Sequence, residues 1–184
     1  MIQLVKVSLF NNMINIKTER LNIREMQLGD APFILKLLND PAFIKNIGDK
    51  KVRTITEANN YITTGPLESY QKNGYGLFLT ELISGNKWIP LGMCGLIKRA
   101  ELEDTDIGFA FLPEYTGKGF GYESASAVLE FGRTKIGLKR VVAIVSPENA
   151  GSIKLLKKLG FQYERMIRLF KEDSEIELYC KRFK

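Results

Sequence analysis

The sequence predicts a mixed α/β (α+β) domain: one largely antiparallel sheet of about seven strands with helices on its faces. Three observations lead there. Stretches of strand-like alternation take turns with stretches of helical period, in the order strand, helices, hairpin, then β-α-β-α-β-β. Residues 104–123, DTDIGFAFLPEYTGKGFGYE, read as a strand, a glycine-rich loop and a helix start. Residues 140–145, RVVAIV, read as a strand buried on both faces.

Residues 18–25 alternate around Leu21 and Ile23 and predict the first strand. Gly29-Asp30-Ala31-Pro32 marks a helix start, with Asp30 as N-cap and Pro32 in the first turn. Ile34, Leu37 and Leu38 give that helix its apolar face, and Asn39-Asp40-Pro41 breaks it. A short turn is expected over residues 42–47. A second helix starts at Thr54, where Thr54-x-x-Glu57 has capping-box spacing, and runs towards Tyr70. Residues 75–83 and 88–97 form a hairpin around Ser84-Gly85-Asn86, and Pro90 signals an edge or a bulge.

The strand over residues 104–112 comes next. Ile107, Phe109 and Phe111 share one face; Asp106, Gly108, Ala110 and Leu112 share the other. Gly108 and Ala110 leave room for a ligand or another backbone to approach. Pro113 ends the strand. The helix beginning near Tyr122 places Ala125, Val128, Leu129, Gly132 and Ile136 on one face, and Gly137 stops it. After RVVAIV, Pro147-Glu148-Asn149 opens a last helix. Ile153, Leu156 and Leu159 face inward there, Lys154, Lys157 and Lys158 outward, and Gly160 caps it. Residues 161–170 and 175–180 close the sheet around Lys171-Glu172-Asp173.

At 184 residues the chain is long enough for one domain with a sizeable core. The expected domain covers residues 13–184. Residues 1–12 are read as an extension, an extra edge strand or a disordered tail, with Met13 an alternative start. No apolar run is long enough for a membrane span, and the N-terminal stretch lacks the marks of a signal peptide. A cytoplasmic protein, monomeric or homodimeric, is expected. The net charge of +6 suggests an anionic partner. Nucleic acid is disfavoured, because the lysines show no aromatic interleaving or known binding motif.

The chain has no histidine. That removes Ser-His-Asp and Cys-His nucleophilic schemes and most zinc sites. Cys94 and Cys180 form no metal or redox motif, and no metal is expected. Acid–base chemistry is left to Asp, Glu, Tyr, Ser, Lys, Cys or water.

Gly117, Gly119 and Gly121 let the loop backbone turn its N–H groups inward, and the helix start adds unsatisfied donors. Together they suit a phosphate. The alternative is a flexible strand-to-helix turn. Gly117-Lys118 is followed by Gly119 rather than Ser or Thr, so the loop is not a P-loop. Its glycine spacing is also wrong for a dinucleotide fingerprint.

Thr116-x-x-Gly119-x-Gly121 resembles the acetyl-CoA motif of the GNAT superfamily of N-acetyltransferases, usually Gln/Arg-x-x-Gly-x-Gly/Ala. The first position departs from that pattern. The surrounding IGFAFLPEYTGKGFGYESA is closer to the ribosomal-protein alanine and serine N-acetyltransferases, as are Thr18-Glu19-Arg20-Leu21 and Arg24 near the start. The resemblance spans about residues 17–180. It implies helices on both sheet faces and acetyl-CoA as cofactor. It also implies a pantetheine arm lying between splayed fourth and fifth family strands, and direct transfer of acetyl to a primary amine.

The resemblance also implies site residues. Backbone around Phe111 and Leu112 would stabilise the oxyanion, and the amides of Gly117, Lys118, Gly119, Phe120, Gly121 and Tyr122 would hold the pyrophosphate. Asp106 stands where relatives often carry Glu and is the candidate base, acting through a water; the alternative is a strand-start residue paired with a Lys or Arg. Asn149 and Ser152, in SPENAGSIKLLKKLGF, match a second motif, Asn-x-x-Ser before Leu-Gly-Phe. They would bind the pantetheine arm and lie near the sulfur; the alternative for both is helix capping. Many relatives carry an acid Tyr four positions after this serine, where Leu156 stands here. Glu123 matches the pattern but is read as structural. Phe43, Tyr75 and Phe78 line the acceptor pocket or belong to the core. The last helix's three lysines meet the 3′-phosphate or form a solvated face. The acceptor would be a protein N-terminus or a small amine. The rival function is a non-catalytic acyl-CoA sensor.

Overall fold

Eight strands share one sheet: β1 (Asn15–Lys17), β2 (Leu21–Arg24), β3 (Leu77–Ser84), β4 (Lys87–Ile97), β5 (Asp106–Phe111), β6 (Arg140–Val145), β7 (Gln162–Ile167) and β8 (Ile176–Arg182). Their spatial order is β1-β2-β3-β4-β5-β6-β8-β7. Every neighbouring pair is antiparallel except β5–β6. The structure, a computed structural model, describes residues 13–171 and 174–183. The expectation for residues 1–12 and the Glu172-Asp173 tip lie outside the described residues.

The single strand expected over residues 18–25 is replaced by a tight hairpin. Thr18 N–H donates to Leu21 C=O at 2.9 Å, so residues 18–20 turn and β1 pairs back on β2. Further on, Leu91 is an extra residue on β4, between the pairs Thr80↔Gly92 and Glu81↔Pro90. This is the bulge that Pro90 signalled.

The helices are α1 (Ala31–Leu38), α2 (Pro41–Ile47), α3 (Ile55–Ile62), α4 (Glu68–Asn73), α5 (Phe120–Phe131) and α6 (Ala150–Lys158). Residues 42–47 are helical rather than a turn, because Asp40 accepts the Ala42 N–H at 2.8 Å and Pro41 suits the first position. The capping box of α3 forms as expected: Glu57 N–H donates to Thr54 Oγ1 at 3.2 Å, and Thr54 N–H to the Glu57 carboxylate at 2.9 Å. A π turn at Thr63–Leu67, containing Pro66, separates α3 from α4. Asp30 precedes α1 but its side chain does not cap it. Its carboxylate accepts Gln27 N–H at 2.8 Å and pairs with Arg24, which also grips Glu81 at 2.9 Å.

Alternation then decides two cores. Phe78, Cys94, Leu96 and Ile107 project to the face covered by α5, with Val128 and Leu129. Leu79, Met93, Ala110 and Leu112 project to the other face, under Ile34, Leu37, Phe43 and Ala58 of α1 to α3. Among the described residues, no helix is long and apolar enough to cross a membrane.

The β5–β6 junction positions the site. These parallel strands pair at Asp106↔Val142 and then part. Leu112 N–H donates to Leu91 C=O at 3.0 Å, so even-numbered residues of β5 turn their backbone groups towards β4. Phe109 and Phe111 therefore present theirs to the gap.

Candidate active site

The glycine loop closes the wide end of that gap. Gly117 and Gly119 have φ of +72° and +85°, in the left-handed region that glycine adopts without strain. The turn delivers the chain into α5, whose first intrahelical donor is Glu123 N–H, bonded to Gly119 C=O at 3.0 Å. The amides of Phe120, Gly121 and Tyr122 thus have no acceptor within the helix. Free N–H groups and the positive end of the helix dipole thus meet at this loop.

Phe111 and Leu112 divide. Phe111 N–H faces the gap, whereas the Leu112 amide is engaged by β4. The expectation for Leu112 as an oxyanion donor is corrected on that ground.

Asp106 lies at the narrow end of the gap and is 1% exposed. Phe111 stands five residue steps further along β5, about 17 Å at ~3.4 Å per residue. Arg99 Nε donates to its Oδ2 at 2.7 Å, and Oδ1 has no hydrogen-bond partner among the described residues. Burial pushes its pKa up to about 6, against the opposing pull of the Arg99 charge. The carboxylate is therefore ionised at neutral pH and more basic than an ordinary Asp. The pairing with a Lys or Arg that stands as the alternative for Asp106 is thus present, and Arg99 is the partner. Its signal is the hairpin register: Ile97 stands opposite Asp106, so a cation two residues past Ile97 can reach back.

On the other side of the gap, Asn149 Oδ1 accepts the Ser152 N–H at 3.1 Å and caps α6. The capping role is thus present, and it leaves the Asn149 amide nitrogen as a donor. Ser152 sits half-buried in the first turn of α6. Leu156, in the position of the relatives' tyrosine, is 1% exposed and belongs to the core.

Residues 20–162 match a family described as Acetyltransferase (GNAT) domain. The chain belongs to the GNAT acetyltransferase family. It is 31% identical over 160 residues to the uncharacterized N-acetyltransferase p20 of Bacillus licheniformis, covering 85% of this chain and 86% of that one. A crystal structure of a GNAT-family acetyltransferase from Bacillus anthracis superposes with a TM-score of 0.75 at 28% identity, over 91% of this chain and 98% of that one. The ribosomal L7/L12 alpha-N-protein acetyltransferase RimL, solved in complex with coenzyme A, shares the fold. Its TM-score is 0.74 at 14% identity, over 90% of this chain and 95% of that one.

In this acetyltransferase the three aromatics named for the acceptor take other places. Phe78 is 0% exposed, stacked on Tyr70 and edge-on to Phe131. Tyr75 is buried with its hydroxyl 2.9 Å from Thr105 Oγ1. Both belong to the core under α5, on the sheet face opposite Asp106. Phe43 lies on the same face as Asp106 but is buried beneath α1 to α3. None of the three presents a free surface to an acceptor, because each ring is consumed by packing. A cleft of about 360 Å³ lies between the α3–α4 segment and the sheet, lined by Tyr61, Glu68, Lys72, Leu77, Ile97 and Lys98 among others. It is not at the glycine loop. It borders Gly108, since Leu77 and Ile97 lie where a Cβ at Gly108 would point. On α6, Lys158 Nζ sits 4.4 Å from the centre of the Tyr122 ring, beside the loop. Lys154 and Lys157 are exposed.

Proposed function

We propose that this acetyltransferase moves an acetyl group from acetyl-CoA directly to a primary amine, working in the cytoplasm. The observation that carries the reading is the gap between β5 and β6, closed at one end by the loop amides and at the other by Asp106. The amides of residues 117–122 hold the pyrophosphate, with Lys118 adding charge. The pantetheine arm runs along β5, taking Phe111 N–H from one side and the Asn149 amide nitrogen from the other. The thioester then lies towards Asp106.

The acceptor approaches from the cleft beside Gly108, past the Ile97 and Leu77 side chains that lie over the strand there. Its nitrogen attacks the thioester carbonyl, the C–N bond forms and the C–S bond breaks. Asp106 removes the amine proton through a water, and Ser152 relays a proton to the leaving thiolate, its hydroxyl being reprotonated from solvent, which later takes the proton held by Asp106. The rim near Asp106 is cationic. Arg99 and Lys98 lie there, and the Arg99 charge adds to desolvation in lowering the Lys50 pKa. A peptide N-terminus or a small uncharged-tail amine fits this rim better than a polyamine, although a short segment of the chain is 38% identical over 52 residues to an Escherichia coli spermidine N(1)-acetyltransferase.

The test is thiol release from acetyl-CoA with a panel of peptides and small amines. Turnover is expected with at least one amine. Asp106→Asn should lower kcat by about 10²-fold or more, the scale of a lost general base, while leaving the KM for acetyl-CoA unchanged. A panel with no turnover, or an Asp106→Asn variant at wild-type rate, sinks the assignment.

A further inference from the structure

The glycine loop does not hold itself in place. The turn between β1 and β2 reaches across about a hundred residues of sequence and grips it through one carboxylate. Glu123, in the first turn of α5, accepts from Thr18 Oγ1 at 2.5 Å, from Arg20 N–H at 3.0 Å and from Arg20 Nε at 2.7 Å. Arg20 Nη2 lies 2.7 Å from the same carboxylate. Arg20 Nη1 donates to Lys118 C=O at 3.2 Å, and the guanidinium carbon stands 4.5 Å from the centre of the Phe120 ring. A Cβ at Gly119 would lie 3.3 Å from Arg20 Nη2. One guanidinium thus touches Lys118, Gly119, Phe120 and Glu123, in the stretch to which the acetyl-CoA reading assigns the pyrophosphate.

The charges add a second argument. A carboxylate in the first turn suits the helix dipole but opposes a pyrophosphate bound at the same helix end. The Glu123 side chain is only 18% exposed, so water screens it poorly. The bidentate Arg20 pair neutralises it and fixes its direction.

We infer that Arg20 is a positioning residue for the acyl donor: through Glu123 and Lys118 it holds the loop amides in their phosphate-binding geometry and cancels the carboxylate that would otherwise repel the pyrophosphate. The inference rests on the acetyl-CoA reading above. Arg20 acts on the donor, so its removal should raise the Kd and KM for acetyl-CoA with little change in kcat.

Calorimetry of the full chain tests it with two ligands, acetyl-CoA and S-acetylpantetheine, which lacks the pyrophosphate. Arg20→Ala should weaken acetyl-CoA about tenfold, the scale of one lost charge-assisted hydrogen bond, and leave S-acetylpantetheine unchanged. Adding Glu123→Gln to Arg20→Ala should recover part of the lost affinity, because the unpaired charge is gone. Arg20→Lys, which keeps the charge without the fork, should fall between. A folded Arg20→Ala variant that binds acetyl-CoA as tightly as wild type overturns the inference, even if its melting temperature drops. So does an equal loss for both ligands. Wild-type protein that binds neither ligand would overturn the acetyl-CoA reading itself, and this inference with it.

Discussion

Replacing Asp106 by Asn should separate stability from activity in a pH-dependent way. The carboxyl is 1% exposed, and burial lifts its pKa from 3.8 to about 6 in the folded chain. At ~1.36 kcal/mol per unit, that rise corresponds to about 3 kcal/mol. The folded state therefore favours the protonated form. The stabilising contribution is full below the unfolded pKa of 3.8 and is lost as pH rises through about 6. Asn cannot ionise, so the variant escapes this loss. Other carboxylates, such as Glu57 and Glu114, have lowered pKa values and tilt the stability curve the other way. The difference between variant and wild type cancels them. Urea denaturation at pH 4, 5, 6 and 7.5 should show Asn gaining on Asp by about 2.4 kcal/mol across the range, the rest falling below pH 4. Asn also removes the partner of Arg99, a cost that does not vary with pH, so the reading is the pH-dependent change in the difference, gained by the variant as its activity is lost. A difference that stays flat with pH, or that falls, refutes the argument: Asp106 would then not carry a burial-raised pKa, and its basicity would not exceed that of an ordinary carboxylate.

Other perturbations reach different parts of the molecule. Gly119→Ala forces an L side chain to a φ of +85°; it should cost about 1–2 kcal/mol in a melt or urea titration and raise the KM for acetyl-CoA. Arg24→Ala strips the partner from Glu81, which is 4% exposed, and should lose about 3 kcal/mol by urea denaturation without changing the KM for either substrate. Ser152→Ala should lower kcat about tenfold or more through the lost proton donor while acetyl-CoA affinity holds; an unchanged kcat assigns that proton to solvent.

The strand, glycine loop and helix around residues 106–131 were legible because alternation, a terminating proline and positive-φ glycines all point to the same local geometry. The Thr54–Glu57 capping box was legible for the same reason: it is complete within four residues. What escaped depends on contacts between distant segments. β1 is three residues long and shows its nature only by pairing with β2. Asp40 and Pro41 break α1, and they also start α2. For Tyr75 and Phe78 the sequence leaves acceptor pocket and core both open, because the period of two tells which residues share a face, not which face meets α5. Arg20 and Glu123 are each unremarkable alone, and their bond appears only when the sheet brings the first hairpin beside α5. The Arg99–Asp106 pair required the β4–β5 register. The gap between β5 and β6 follows from two strands that diverge after one pairing, which neither strand's composition records.

That single rung has a mechanical meaning. With β5 and β6 paired only at Asp106↔Val142, the sheet is two antiparallel panels, β1–β5 and β6–β8, joined at one corner. A pantetheine arm taking donors from both panels would serve as a ninth strand, stitching along the seam the polypeptide leaves open. Donor loading would then tie the panels into one unit, and release of the spent thiol would unzip them. Amide exchange should register this: protection at Phe109 and Phe111 should rise with acetyl-CoA, while the β3–β4 ladder, already closed, stays as it was.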